Sequence, residues 1–98
     1  MKIVWSPLAI QRVQEIADYI ALDSMNAAEK WIDSVFDKVE TLVSAPEIGR
    51  IVPELEKSDL RELIFGNYRI IYQLFPKRIF ILTVRHFKQL LPTEEFGM

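Results

Sequence analysis

Six side chains between Leu60 and Lys88 have the chemistry to act on another molecule. His86 is the one imidazole in the chain. It is the one side chain here whose ordinary titration range reaches neutral pH, so it suits proton transfer in either direction. Glu62 is a carboxylate that could serve as a base. Arg61, Arg69 and Arg85 carry planar guanidinium forks that meet phosphate or carboxylate oxygens in two places, and Lys88 adds a point charge. Such a set suits acid–base work on a phosphate ester without a metal, or the plain gripping of an anion. For each residue a structural role competes with these. His86 could cap a packed strand face. Arg69 could form an internal salt bridge to Glu62. Arg61, at a strand start, could be solvated.

The surrounding charge sharpens the second possibility. Residues 60–88 hold six cationic side chains against Glu62 alone, a formal +5, in a chain of net charge −2. Residues 1–50 hold five basic and eight acidic side chains. A compact cationic region on an acidic body fits a local anionic partner, either a phosphate chain or an acidic protein segment. The absence of cysteine excludes disulfides and thiolate chemistry, and a single histidine excludes a His-rich metal site. No cofactor is expected. No apolar run approaches the ~20 residues of a membrane span, and nothing resembles a secretory leader, so the expected compartment is the cytoplasm.

These residues must be positioned by the elements around them. The stretch LRELIFGNYRIIYQLFPKRIFILTVRHFK contains three β-rich runs divided at Gly66-Asn67 and Pro76-Lys77. Gly and Asn tolerate positive φ and Pro pre-sets a turn, so the stretch predicts a three-stranded antiparallel meander. Lys2–Trp5 predicts an N-terminal strand. Ser6-Pro7 is a helix start, with Ser as N-cap and Pro where its missing N–H costs nothing. Ala9, Val13, Ile16, Ala17 and Ile20 recur at helical spacing, predicting a helix from Pro7 to about Leu22. Asp23-Ser24 then starts a second helix, from about Met25 to Ser44. Its stripe is Ala28, Trp31, Ile32, Val35, Phe36, Val39, Leu42 and Val43. So short a link makes the pair an antiparallel hairpin, and its apolar face needs the sheet as cover. Residues 45–59 read as an irregular loop, with a brief strand at Ile51-Val52. The fold class is thus α+β: one domain over 1–98, with 92–98 a loose tail.

Simple alternation assigns faces. Tyr68, Ile70, Tyr72 and Leu74 share one side of the middle strand, and Arg69, Ile71, Gln73 and Phe75 the other. On the last strand, Phe80, Leu82, Val84 and His86 alternate with Ile79, Ile81, Thr83 and Arg85. One sheet face is expected under the helices. The other, bearing the arginines, is expected to be open to solvent or a partner.

Several short signatures fall in order along this plan: Trp5-Ser6-Pro7 with Ala9, Asp18-Tyr19-Ile20, Pro46 with Gly49-Arg50, Arg61-Glu62-Leu63, Tyr68-Arg69-Ile70-Ile71-Tyr72, and Val84-Arg85-His86. Together they resemble the RelE/ParE superfamily, the toxins of type II toxin–antitoxin modules, over roughly Met1 to Leu91. The resemblance implies a cytoplasmic protein of the plasmid-stabilisation type that inhibits growth. It also implies a cognate antitoxin partner in a hetero-oligomer, with no membrane association. One branch of the superfamily binds DNA gyrase; the other consists of ribosome-dependent mRNA endonucleases, or mRNA interferases. A metal-free nuclease reading would use His86, Arg61, Arg69 and Glu62 as catalytic residues. A binding reading would use Arg61, Arg69, Arg85, His86 and Lys88 toward target or antitoxin. Three departures favour the ParE-like branch and lean against an enzyme. The last strand ends in His86-Phe87, not His-Tyr. The loop before the meander has only Lys57 and Arg50 as cations. The Val-Arg-His ending after Arg-Glu-Leu is similar to ParE.

Overall fold

The computed structural model describes residues 1–87. Lys88, the expected stop at Leu91-Pro92 and the expected tail lie outside the described residues. The elements are β1 (Lys2–Trp5), α1 (Pro7–Ala21), α2 (Met25–Glu40), a 3₁₀ turn (Thr41–Val43), β2 (Arg50–Ile51), β3 (Leu60–Phe65), β4 (Tyr68–Leu74) and β5 (Arg78–His86). They form one five-stranded sheet of order β1-β5-β4-β3-β2. β1 joins β5 in parallel, and every other pairing is antiparallel. The meander, the hairpin and the N-terminal strand stand as expected. The brief strand falls one residue earlier, at Arg50–Ile51.

Local chemistry accounts for the boundaries. The Ser6 side chain accepts the Ala9 N–H at 3.0 Å, and its hydroxyl donates to Leu82 O at 2.8 Å. One serine therefore caps α1 and ties it to β5. Ser24 caps α2 by accepting the Ala27 N–H at 3.1 Å. Gly66 turns β3 into β4 at φ +57, a conformation that costs glycine little. Phe75 N–H donates to Arg78 O at 2.9 Å and closes the second turn.

The main core lies between the hairpin and the sheet. Ala9, Val13, Val35, Val39 and Leu42 meet Leu63, Ile70, Tyr72, Ile79, Ile81 and Val84. Phe36 departs from the expected core stripe. It is 38 % exposed and tilts against Trp5 at 4.8 Å between ring centroids, at the rim.

The alternation on β5 fails at one residue. Ile71 pairs with Thr83, but Tyr72 pairs with Ile81, so Leu82 is an extra residue on β5. A bulge of this kind reverses the facing of everything beyond it. Ile79 and Ile81 consequently share the helix-covered face with Val84, while Leu82 joins Ile71 on the opposite face.

That opposite face is not open over its centre. Val52, Leu60 and Ile71 form a second buried cluster, with Leu55 and Leu82 packed against it. The 52–59 segment folds back over β3 and β4, held by Val52 N–H to Leu60 O at 3.2 Å and Leu74 N–H to Asp59 O at 2.8 Å. The expectation of a free arginine-bearing face is corrected here. Apolar Ile71 and Leu82 on the far side needed cover, and the loop supplies it.

Candidate functional site

Arg69 sits mid-strand on β4, 5 % exposed at its side chain. A guanidinium cannot be buried alone, because losing water costs several kcal/mol. Among the described residues, two carboxylates meet it. Glu54, from the covering loop, takes its fork with Nη1 to Oε2 at 2.7 Å and Nη2 to Oε1 at 2.8 Å. Glu62, from β3, accepts Nε at 3.1 and 3.2 Å and also accepts Nη2. Glu62 is sealed at 0 % exposure and takes a second cation, Arg50, at 3.1 and 2.9 Å. Arg50 and Glu62 are register partners on β2 and β3, which explains the fit. The Arg69 pKa is raised, first by the Glu54 hydrogen bonds and then by Glu62, against the opposing effect of burial.

Arg85 lies directly across from Arg69 on β5. Arg61 does not join this group. Its register partner is Tyr72, so it projects on the helix-covered side of the sheet. There its Nη1 donates to Gly49 O at 3.0 Å and Glu47 O at 3.3 Å. Tyr72 completes this latch: its hydroxyl accepts the Gly49 N–H and donates to Pro46 O, both at 2.9 Å. A Cβ on Gly49 would stand 2.5 Å from Tyr72 Oη and 2.6 Å from Glu62 O, so only glycine permits this approach. Burial raises the Tyr72 pKa, partly opposed by the Gly49 hydrogen bond.

His86 is placed elsewhere again. It pairs in register with Tyr68, on the helix side of the sheet. The two rings stand edge to face at 5.9 Å, and Tyr68 meets Trp31 in the same manner at 5.3 Å. A cavity of about 290 Å³ opens here between α1 and the end of β5, lined by Arg12, Glu15, Ile16, Tyr68, Arg85 and His86 among others. Gln11 and Arg12 hydrogen-bond Glu15 and hold its carboxyl below the usual range. A neighbouring cavity of about 520 Å³ shares Tyr68 and runs to the hairpin tip at Tyr19, Ile20 and Leu22. Tyr19, Leu22 and Met25 are 75, 85 and 66 % exposed, a concentration of apolar side chains in water.

The candidate residues therefore fall in three places. Arg69, Glu62 and Arg85 lie on the loop-covered face. Arg61 lies in the Tyr72 latch. His86 lies beside α1. Lys88 falls outside the described residues. This arrangement does not bring an acid, a base and a phosphate clamp to one point. Glu62 has no exposed surface to take a proton from a substrate, and His86 faces the other side of the sheet. Among the described residues, no group of three or more His, Cys, Asp or Glu could hold a metal ion.

Sequence reasoning missed Glu54, Arg50 and the Gly49–Tyr72 latch as a connected assembly. A signal existed. A mid-strand arginine demands acids, and the loop facing it carries Glu54, Glu56 and Asp59.

An N-terminal strand added parallel to a meander, with a helical hairpin on one face and a loop-covered ion lattice on the other, defines the RelE/ParE-like fold class. The family model described as "ParE toxin of type II toxin-antitoxin system, parDE" matches residues 3–91, and the chain belongs to this family. A solved structure titled "Chromosomal ParDE TA system from P. aeruginosa" is similar in fold. Its TM-score is 0.73 at 22 % identity, over 88 % of this chain and 95 % of that one. No curated protein matches this chain.

Proposed function

We propose that this chain is the toxin of a plasmid-stabilisation type module that arrests growth by binding DNA gyrase in the cytoplasm, and that a cognate antitoxin neutralises it. The observation that carries the reading is the ParE family match along residues 3–91. The dispersal of His86, Arg61 and the Arg69–Glu62 pair supports binding over metal-free mRNA cleavage, because general acid–base catalysis requires the groups within hydrogen-bond reach of one substrate.

For the antitoxin, the best-suited surface is the groove along α1 past Tyr68 and His86 to the exposed tip at Tyr19, Leu22 and Met25. An amphipathic segment of the antitoxin would lay apolar side chains there. Such a segment pays its ordering entropy on binding, which covering the exposed Tyr19, Leu22 and Met25 can offset. No helix among the described residues is long and apolar enough to cross a membrane.

Two assays on the purified chain test the proposal together. One follows supercoiling by gyrase; the other maps cuts in mRNA on translating ribosomes. Inhibited supercoiling with intact mRNA is the expected result. Ribosome-dependent cuts with normal supercoiling would replace the binding reading with the nuclease.

A further inference from the structure

With Arg50 and Arg69 bound to carboxylates and Arg61 bound to backbone carbonyls, the cationic excess of the sheet must be sought elsewhere. Three cations remain together at the far end, where β1 meets the β4–β5 turn. Lys2 and Arg78 are register partners on β1 and β5, and Lys2 N–H donates to Lys77 O at 3.3 Å. Neighbouring strands lie about 4.8 Å apart, so these stems rise side by side. All three residues are exposed, and none makes an ion pair among the described residues.

Of the three, Arg78 stands over aromatic rings. Phe75 and Phe80 meet edge to face at 5.3 Å. The Arg78 guanidinium carbon lies 5.4 Å from the Phe80 ring centre and 6.0 Å from that of Phe75. Phe80 is the register partner of both Gln73 and Val4, so this ring pair lies on the face away from the helices. It lies at the β1 side of that face, and β1 is a terminal strand of the sheet.

We propose that Lys2, Lys77 and Arg78, with Phe75 and Phe80, form a contact surface for single-stranded nucleic acid. The cations would follow consecutive phosphates, and a base would stack on the Arg78–Phe80 layer. Stacked aromatic and guanidinium planes beside a cationic track are what sequence-tolerant strand binding requires. An acidic peptide would use the charges but would leave the aromatic layer idle. The whole chain is −2, so no long-range attraction draws it to polyanions, and any affinity must be local. This surface is at the opposite end of the sheet from His86 and is independent of the gyrase reading.

The test is fluorescence anisotropy of a labelled oligothymidylate with the purified full chain, across a salt series. The parent chain should bind at low salt and weaken steeply as salt rises. Lys2→Gln/Lys77→Gln/Arg78→Gln should bind about tenfold or more weaker at low salt and flatten the log–log salt slope by about 2, the value for three released counterions on a single strand. Phe80→Leu should weaken binding about fivefold or more with the slope unchanged. Lys38→Gln, a charge change on α2, should match the parent. Because the three cations are exposed, the triple variant should keep its circular dichroism spectrum; Lys77→Glu, a single reversal, repeats the test with less disturbance. Absence of parent binding overturns the proposal, as does parent-like binding by both charge variants. Displacement by polyglutamate at equal concentration, with Phe80→Leu silent, would assign the surface to an acidic protein segment instead.

Discussion

The two sides of this small molecule treat polar and apolar groups in opposite ways. On the β2–β3–β4 side, Arg69 is shared by Glu54 and Glu62, Glu62 is shared with Arg50, and Tyr72 bolts down the 46–49 loop. On the α1–β5 side, Tyr19, Leu22 and Met25 stand in water and cavities open around Tyr68 and His86. The first region spends its chemistry inward and fixes the fold. The second leaves apolar surface unmet, which is what a surface awaiting a partner looks like. The lesson concerns motifs. The residues most easily taken for a working site, Arg61, Glu62 and Arg69, belong to the inward-facing region.

Substitutions can break this contrast, and the largest effect belongs to the core both regions share. Val35→Asp should abolish cooperative folding, because Val35 is fully buried and an unpaired charge there costs on the order of the whole stability. A soluble chain with a sharp thermal transition would refute that core. Next comes Glu62→Ala. It takes one carboxylate from the buried Arg69 and should lower unfolding free energy by about 3–5 kcal/mol in urea melts. A loss below about 1 kcal/mol would mean the lattice is peripheral. Gly49→Ala should cost about 1–3 kcal/mol, since its methyl would collide with Tyr72 Oη and the Glu62 carbonyl.

Tyr72 gives a pH signature of the inward side. Burial raises its pKa above the ordinary value of 10.0, so the unfolded chain loses its phenolic proton first. This contribution is fully present below about pH 10 and is lost as pH climbs through the folded-state value. Tyr72→Phe should therefore be less stable at neutral pH by about 1–3 kcal/mol, since Gly49 N–H loses its acceptor, yet lose less on alkaline titration. An identical alkaline slope in both chains would remove Tyr72 from the account. The smallest effect on folding belongs to the outward side. Tyr19→Ser with Leu22→Ser should change stability by less than about 0.5 kcal/mol each, while weakening capture by the cognate antitoxin about tenfold or more. Unchanged capture would move the antitoxin off the hairpin tip.

The architecture was legible because it rests on local signals that agree with one another. Ser6-Pro7 and Ser24 start helices, Gly66 turns a hairpin, and both helical stripes bury Ala9, Val13, Val35 and Val39. The second helix tightens into a 3₁₀ turn at Thr41 instead of running to Ser44, a detail of end geometry that periodicity does not carry. The face assignment on β5 was not legible. The bulge at Leu82 is an event of strand pairing, and β-rich residues run through it without a break. The placement of the candidate site residues was not legible for a different reason. Counting arginines on one strand face ignores the loop that folds over them, and Glu54 meets Arg69 across fifteen residues of chain. His86 and Arg61 parted from Arg69 because register, not sequence order, decides which face a strand residue takes.

The central claim is that the Arg69 lattice holds the fold while recognition happens elsewhere. It is tested most directly by growth arrest on induction of a chain in which the lattice is replaced by apolar and neutral groups, Arg69→Leu with Glu62→Leu and Glu54→Gln, compared with the parent at equal soluble level and matched circular dichroism. Buried ion pairs often exchange for apolar packing with little loss of stability, so a folded product is expected. Arrest equal to the parent is the predicted result; a folded, soluble chain that no longer arrests growth would contradict it.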